Sequence, residues 1–151
     1  MNTIYNKLCY DKDKNQLIGC TTREVVPFSE LDLKDKPITE FDTVLYFSNR
    51  WDENFHHFIH ETFYLLSFLF NKDFSIKYNK TNFKILYENM PSKKYIYEIL
   101  DLLGFLKYAH LIEKDNVYKS KTIIWSNGGY HYNKNDTNYT NLIKTIIEKS
   151  I

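Results

Sequence analysis

The sequence is poor in the residues that build disulfide frameworks, tight turns and membrane spans. Its 151 residues include two cysteines, four glycines, three prolines and a single alanine. Cys9 and Cys20 lack CxxC spacing and a set of ligand-spaced histidines, so the pattern predicts reduced thiols. A chain of this length buries roughly two thirds of its unfolded surface on folding, so it needs no disulfide or metal to fold. We expect one domain spanning residues 1–151.

Excess charge of one sign is also absent. Twenty basic residues balance nineteen acidic ones, and only two of the basic residues are arginines. The lysines do not cluster, so the sequence offers no footprint for a nucleic-acid backbone. No segment approaches the ~20 apolar residues of a membrane-spanning helix, and the N-terminus does not resemble a signal peptide. We expect a cytoplasmic protein with neither nucleic acid nor membrane as a partner.

Hydrophobic periodicity places strands and helices in alternation from residue 43 onward. Apolar runs rich in strand formers predict strands at 43–47, 83–87, 109–113 and 120–126. Helical spacing predicts helices at 54–70 and 92–103, with Gly104 as a stop signal, and a short amphipathic helix within 139–151. Such alternation favours an α/β fold, here a Rossmann-like three-layer lobe with a mainly parallel sheet.

The first forty residues have weaker patterns. The stretch TIYNKLCY (3–10) alternates like an edge strand, and REVVPF (23–28) has the composition of a second strand. Neither repeats nor a linker divide the chain, so these residues are expected to belong to the same domain.

The stretch DENFHHFIHETF (52–63) concentrates histidines and acids in an otherwise apolar run. In a helix, Asn54, His57 and Glu61 fall within an arc of about 60°, opposite a mainly apolar side. This arc follows a predicted strand, at the end of an open sheet where ligands bind. His57 and Glu61, at i and i+4, can hydrogen-bond and so serve acid–base chemistry or hydroxyl binding. A solvated helix face with incidental histidines has the same pattern.

A metal site is not expected in this stretch. His56 and His60 stand at i and i+4, but the string is not H-E-x-x-H, and a third ligand could come only from the distant His110 or His131. We therefore predict no stoichiometric zinc. A bound cofactor is not expected either, because Gly128 and Gly129 follow a strand without forming G-x-G-x-x-G.

Two residues before the histidine stretch are further candidates for substrate binding. Arg50 can meet a phosphate or an acidic sugar, although an ordinary surface ion pair with Asp52 or Glu53 is the favoured interpretation. Trp51 can stack on a sugar ring, although structural packing explains it first.

The string NFHHFIHE (54–61) resembles the motif helix of family 61 glycosyltransferases, with Phe58 where the family usually has tryptophan. FDTVLYFSNRWDEN resembles the strand and loop before that helix, and KILYENMPSKKYIYEILDLLGF the strand and helix after it. LIEKDNVYKSKTIIWSN is similar to the next step of the family. The resemblance covers about residues 40 to 127 and places Asn54, His57 and Glu61 on the motif positions.

This resemblance implies the N-terminal, acceptor-side lobe of a two-lobed GT-B enzyme. The partners would be a nucleotide-sugar donor and a glycan or protein acceptor, and a second lobe or partner chain would complete the donor site. His57 or Glu61 would act as the catalytic base of an inverting transfer, and Asn54, Arg50 and Trp51 would bind substrate. The alternative is a non-catalytic carbohydrate- or partner-binding module that uses aromatic residues such as Trp51, Tyr130 and Tyr132.

Overall fold

A computed structural model describes residues 1–20, 25–47, 63–73, 82–89, 93–125 and 137–151. These residues form seven strands and two α-helices, joined by 3-10 helices at Phe28–Glu30, Phe63–Phe70 and Leu106–Tyr108. The α-helices are Lys93–Leu103 (α1) and Thr137–Lys149 (α2). The strands are Asn2–Tyr5 (β1), Leu8–Asp11 (β2), Gln16–Cys20 (β3), Ile38–Phe47 (β4), Phe83–Tyr87 (β5), Ala109–Leu111 (β6) and Val117–Trp125 (β7).

All seven strands belong to one mixed sheet, in the order β3-β2-β1-β7-β4-β5-β6. β7, β4, β5 and β6 are parallel to one another, whereas β1 is antiparallel to both β2 and β7, and β3 is antiparallel to β2. The predicted α/β class is therefore confirmed. The sheet is mixed rather than mainly parallel, because a hairpin-connected meander, which requires antiparallel strands, contributes three of its members.

The predicted central strands are confirmed and are buried on both faces. Leu45 and Phe47 of β4 join Ile85 and other residues of β5 in a core cluster with α1, α2 and the 3-10 helix Phe63–Phe70. The alternate residues of the same strands, including Val44 and Leu86, belong to a second cluster on the opposite face. Burial on both faces explains why these strands read as continuous apolar runs instead of alternating ones.

The N-terminal strands differ from the predicted single edge strand at 3–10. Asn6 and Lys7, with φ of 48° and 63°, form a tight turn that divides this stretch into β1 and β2. Two left-handed residues between antiparallel strands match the twist of a two-residue hairpin. β1 pairs with β7 and is internal, and β3 is the edge strand instead. Of the predicted strand at 23–28, residues 25–27 are not in a strand, Phe28 begins a 3-10 helix, and residues 23–24 lie outside the described residues.

The meander contributes to the second core cluster. Ile4 of β1 and Cys9 of β2 pack there with Val44, and Trp125 of β7 packs against the same cluster. The indole of Trp125 lies so close to Gly19 of β3 that an added Cβ would be 2.7 Å from a ring carbon. β3 and the end of β7 are therefore in contact although β2 and β1 separate these strands in the sheet.

The helix predicted at 92–103 is observed as α1, and it stops where the sequence indicated. Gly104 has φ of 79°, and its N–H donates to the carbonyl of Asp101, while the N–H of Phe105 donates to Leu100. This pair of bonds is a Schellman motif, which favours glycine because the left-handed conformation strains other residues.

The predicted helix 54–70 falls mostly outside the described residues. Its described part, Phe63–Phe70, is a 3-10 helix rather than an α-helix. With three residues per turn, Leu66 and Leu69 lie on one face, and both are buried in the first core cluster. Whether residues 54–62 continue this helix stays a prediction.

The other predicted elements are observed with small shifts in their bounds. β6 ends at Leu111 instead of 113, β7 covers 117–125 instead of 120–126, and α2 covers 137–149. Within the described parts of the chain, no helix has the length and apolar character that crossing a membrane requires.

Candidate functional site

A cleft lined by both polar and apolar side chains opens where β5 ends, and a buried carboxyl group forms part of its lining. Glu88 directly follows β5, and only 8% of its surface is exposed. Tyr46 pairs with Leu86 in the register of β4 and β5, so both side chains point to the second face of the sheet. Glu88 lies two residues beyond Leu86 and points the same way. The fully buried Tyr46 donates a hydrogen bond of 2.5 Å from Oη to Oε1 of Glu88.

Burial raises the pKa of Glu88 above its usual value. The hydrogen bond from Tyr46 and the positive charge of Lys7 both lower this pKa, but they do not offset the loss of hydration. A buried carboxyl group with a raised pKa, next to a cleft, is a recognised mark of a functional site.

The cleft has a volume of about 270 Å³ and lies between three segments of the chain. Its walls come from the β1–β2 turn, the end of β5 and the connection from β6 to β7. Both apolar and polar side chains line it: Ile4, Tyr5, Asn6, Lys7, Glu88, Asn89, Ile112, Glu113, Lys114, Asp115, Asn116 and Tyr118. The left-handed turn at Asn6 and Lys7 brings these residues into the lining of the cleft that Glu88 also lines.

Tyr118 lines the cleft and also packs with two other aromatic side chains, Phe41 and His110. Its Oη accepts a hydrogen bond of 2.9 Å from the N–H of Glu113 and lies 3.4 Å from Nε2 of His110. Phe41 contacts both rings, edge-on to His110 and stacked with Tyr118. Burial lowers the pKa of His110 and raises that of Tyr118, so both groups favour their neutral forms. For Tyr118 Oη to donate a hydrogen bond to Nε2, neutral His110 must be the tautomer that carries its proton on Nδ1.

The described residues do not contain a metal centre. No three histidine, cysteine or acidic side chains among them converge closely enough to hold an ion. Glu113 and Asp115 line the same cleft as Glu88 without forming such a group with it. His56 and His60, the histidines for which a zinc site was considered and not expected, lie outside the described residues, so the absence of zinc stays a prediction.

The site residues predicted from the sequence all lie outside the described part of the chain. These are Arg50, Trp51, Asn54, His57 and Glu61. The strand that precedes them is described, and it ends at Phe47, paired with Tyr87. In the sequence, these five residues follow β4 and Glu88 follows β5, and the two strands are parallel neighbours that end side by side.

The sequence interpretation did not identify Glu88, Tyr46 or Tyr118 as functional. One signal was available for Glu88, because an acid that continues the inward-facing series of a buried strand is unusual. Tyr46 sits inside an apolar run, where an aromatic residue is expected to be core. Nothing local distinguishes its hydroxyl group as a hydrogen-bond donor to a residue 42 positions away.

Comparisons of this chain with protein-family models, with curated proteins and with solved structures gave no significant match. Its function is therefore inferred from its own residues and geometry.

Proposed function

We propose that this chain is a glycosyltransferase-like domain of Rossmann-like type that binds sugar-containing substrates at the carboxyl edge of its parallel strands. The substrates of the reaction would be a nucleotide-sugar donor and a hydroxyl group of a glycan or protein, and residues 1–151 would contribute the acceptor side. One observation carries the proposal: β4 and β5 end side by side at Phe47 and Tyr87, and the motif segment 48–62 continues directly from Phe47.

The strand order supports this location. From β4 the chain proceeds to β5 and β6 on one side, and then returns to place β7 on the other side of β4. In open α/β sheets, ligands bind beyond the carboxyl ends of the strands where the order reverses. Here the reversal lies between β4 and β7, whose ends are paired at Tyr46 and Trp125. The segments 48–62 and 126–136 follow these two strand ends.

The residue types after β4 suit transfer to a hydroxyl group. His57 or Glu61 would remove the proton from the acceptor hydroxyl as its oxygen attacks the anomeric carbon and the nucleotide leaves with the bonding electrons. Asn54 would hydrogen-bond a substrate hydroxyl, Arg50 would meet a phosphate or acidic sugar, and Trp51 would stack on a sugar ring.

A glycan array probed with the full 151-residue chain tests carbohydrate binding, followed by titration of the best ligand. We expect Glu61→Gln and His57→Ala to weaken binding at least tenfold while the circular dichroism spectrum is retained. Glu148→Gln is the matched control, because Glu148 is exposed on α2 and pairs with Lys144, away from the strand ends. Equal binding by all variants, or no carbohydrate binding at all, would refute the proposal.

Titration with uridine and guanosine diphosphate sugars separates donor from acceptor binding. We expect weak or no binding of these donors, because residues 1–151 have no glycine-rich phosphate loop and only two arginines. Micromolar binding would reassign Arg50, His57 and Glu61 from acceptor to donor contacts. Glycan binding without any transfer activity in the presence of donors would favour the non-catalytic binding module.

A further inference from the structure

The carboxyl group of Glu88 is buried beside the cleft and forms no ion pair with another described residue, although the positive charge of Lys7 acts on it. Its hydrogen-bond partner is the neutral hydroxyl group of Tyr46, and none of the ion pairs within the described residues includes Glu88. An ionised carboxylate removed from water costs several kcal/mol unless an opposite charge compensates it. A ligand with a positive charge would supply that compensation.

The rest of the lining is compatible with a cation. Three carboxyl groups, from Glu88, Glu113 and Asp115, face two ammonium groups, from Lys7 and Lys114. The described part of the lining is therefore net negative when all five groups are ionised, which disfavours an anion. A metal ion is disfavoured because these carboxyl groups do not converge on one point. A neutral polyol would offer hydrogen bonds without neutralising Glu88.

The volume of the cleft and the apolar part of its lining restrict the class of ligand further. A volume of about 270 Å³ suits a small organic molecule. Ile4, Ile112 and the rings of Tyr5 and Tyr118 give it an apolar surface on which hydrocarbon can pack.

We propose that the cleft binds a small organic cation whose primary ammonium group pairs with Glu88 while its hydrocarbon part packs on the apolar lining. Tyr46 is a positioning residue, since its hydrogen bond fixes the orientation of the Glu88 carboxyl group. The residues named here for the cation site do not include the predicted glycosyltransferase residues, so this proposal does not depend on that one.

Binding is coupled to loss of a proton from Glu88. Below its raised pKa, Glu88 is neutral in the free protein, and pairing with an ammonium group favours the ionised form. Affinity therefore increases with pH until the pKa of free Glu88 is passed. The other titratable side chains that face this region are Tyr5, Lys7 and Tyr46, with Glu113, Lys114, Asp115 and Tyr118 on the opposite wall. A Glu88→Gln variant separates the contribution of Glu88 from theirs.

Three ligands with the same six-membered ring test the proposal: cyclohexylamine, cyclohexanol and cyclohexanecarboxylate. At a pH between 4.5 and the folded pKa of Glu88, located first from the pH dependence of amine binding, we expect the 151-residue chain to bind the amine at least tenfold more tightly than the alcohol and to bind the carboxylate least. In calorimetric titrations, the heat of amine binding should depend on the ionisation enthalpy of the buffer, because a proton is released. Comparable affinity for amine and alcohol, or no amine binding, would overturn the proposal.

Glu88→Gln should remove the preference for the amine and the proton release. Glu98→Gln, the same change at an exposed position of α1, should alter neither. If Glu88→Gln does not fold, amine binding by the wild-type protein still tests the proposal. Its affinity should depend on pH and its heat of binding on the buffer, because both effects follow from loss of a proton on binding. Amine binding that releases no proton and does not vary between pH 5 and 7 would exclude Glu88 as the partner.

Discussion

Replacing Gly19 with alanine should destabilise the protein, because its new methyl group would meet the indole of Trp125. An ideal Cβ at Gly19 lies 2.7, 2.8 and 2.9 Å from three carbon atoms of that ring, well inside van der Waals contact. Overpacking of this kind costs about 1–3 kcal/mol. Alanine also lowers the conformational entropy of the unfolded chain, which stabilises the folded state by about 0.4–1 kcal/mol. The net loss in the free energy of unfolding should be about 1–2 kcal/mol.

Urea denaturation followed by circular dichroism measures this loss. At this chain length each kcal/mol corresponds to about 2–4 °C in Tm. In a Trp125→Leu background the alanine has room, so the cost of Gly19→Ala should fall, with a coupling energy of about 0.5–3 kcal/mol. Gly104→Ala is the matched control. It should destabilise through its φ of 79° and show no coupling to Trp125, since nothing lies within 4 Å of its Cβ. Stability of Gly19→Ala equal to or above that of the wild type would refute the contact between β3 and β7.

Three further predictions concern titratable groups. The pKa of Glu88 is higher in the native state than in the unfolded state, so the free energy of unfolding falls as pH rises from 4.5 towards the native pKa. In urea titrations across that window, Glu88→Gln should gain stability relative to the wild type, by at most about 1.4 kcal/mol per pH unit. A hydrogen bond from the N–H of Asn82 and the contact with Lys121 lower the pKa of Asp42. Asp42→Asn should therefore be less stable than the wild type above pH 3.8, and this difference should vanish on acidification. In a Cys20→Ser variant, Cys9, whose pKa burial raises to about 12, should react with a thiol reagent at pH 8 only after unfolding; rapid reaction of the native protein would contradict its burial.

The elements that the sequence predicted well are those whose signals are local. The run from Val44 to Phe47 is apolar at every position because the strand is covered on both faces, and Gly104 supplies the left-handed residue that ends α1. Such features depend on neighbouring residues in the chain, so periodicity and turn chemistry reveal them.

The elements that were missed depend on distant partners. The turn at Asn6 and Lys7 contains no glycine, so its signal is weak, and the pairing of β1 with β7 joins residues more than a hundred positions apart. The 3-10 geometry of Phe63–Phe70 depends on how the run packs against the sheet, which its nearly uniform apolar character does not encode.

For the candidate site, the sequence predicted polar groups at the carboxyl end of β4, and this prediction concerns residues outside the described part of the chain. The structure adds a cleft beside the end of the neighbouring β5. The tyrosine and glutamate that meet there come from different strands, and their side-chain hydrogen bond has no counterpart in either local sequence. The roles of Asn54, His57 and Glu61 stay predictions.

Chemical-shift mapping with a neutral oligosaccharide selected on the glycan array tests the central claim most directly, namely that substrates bind at the carboxyl edge of the parallel strands. In a titration of the ¹⁵N-labelled chain, we expect the largest amide shifts among the described residues at Phe47, Tyr87 and Trp125, where β4, β5 and β7 end. Ile38 and Val117, at the opposite ends of β4 and β7, serve as internal controls and should not shift. Shifts confined to that opposite edge, or to the outer faces of α1 and α2, would contradict the claim.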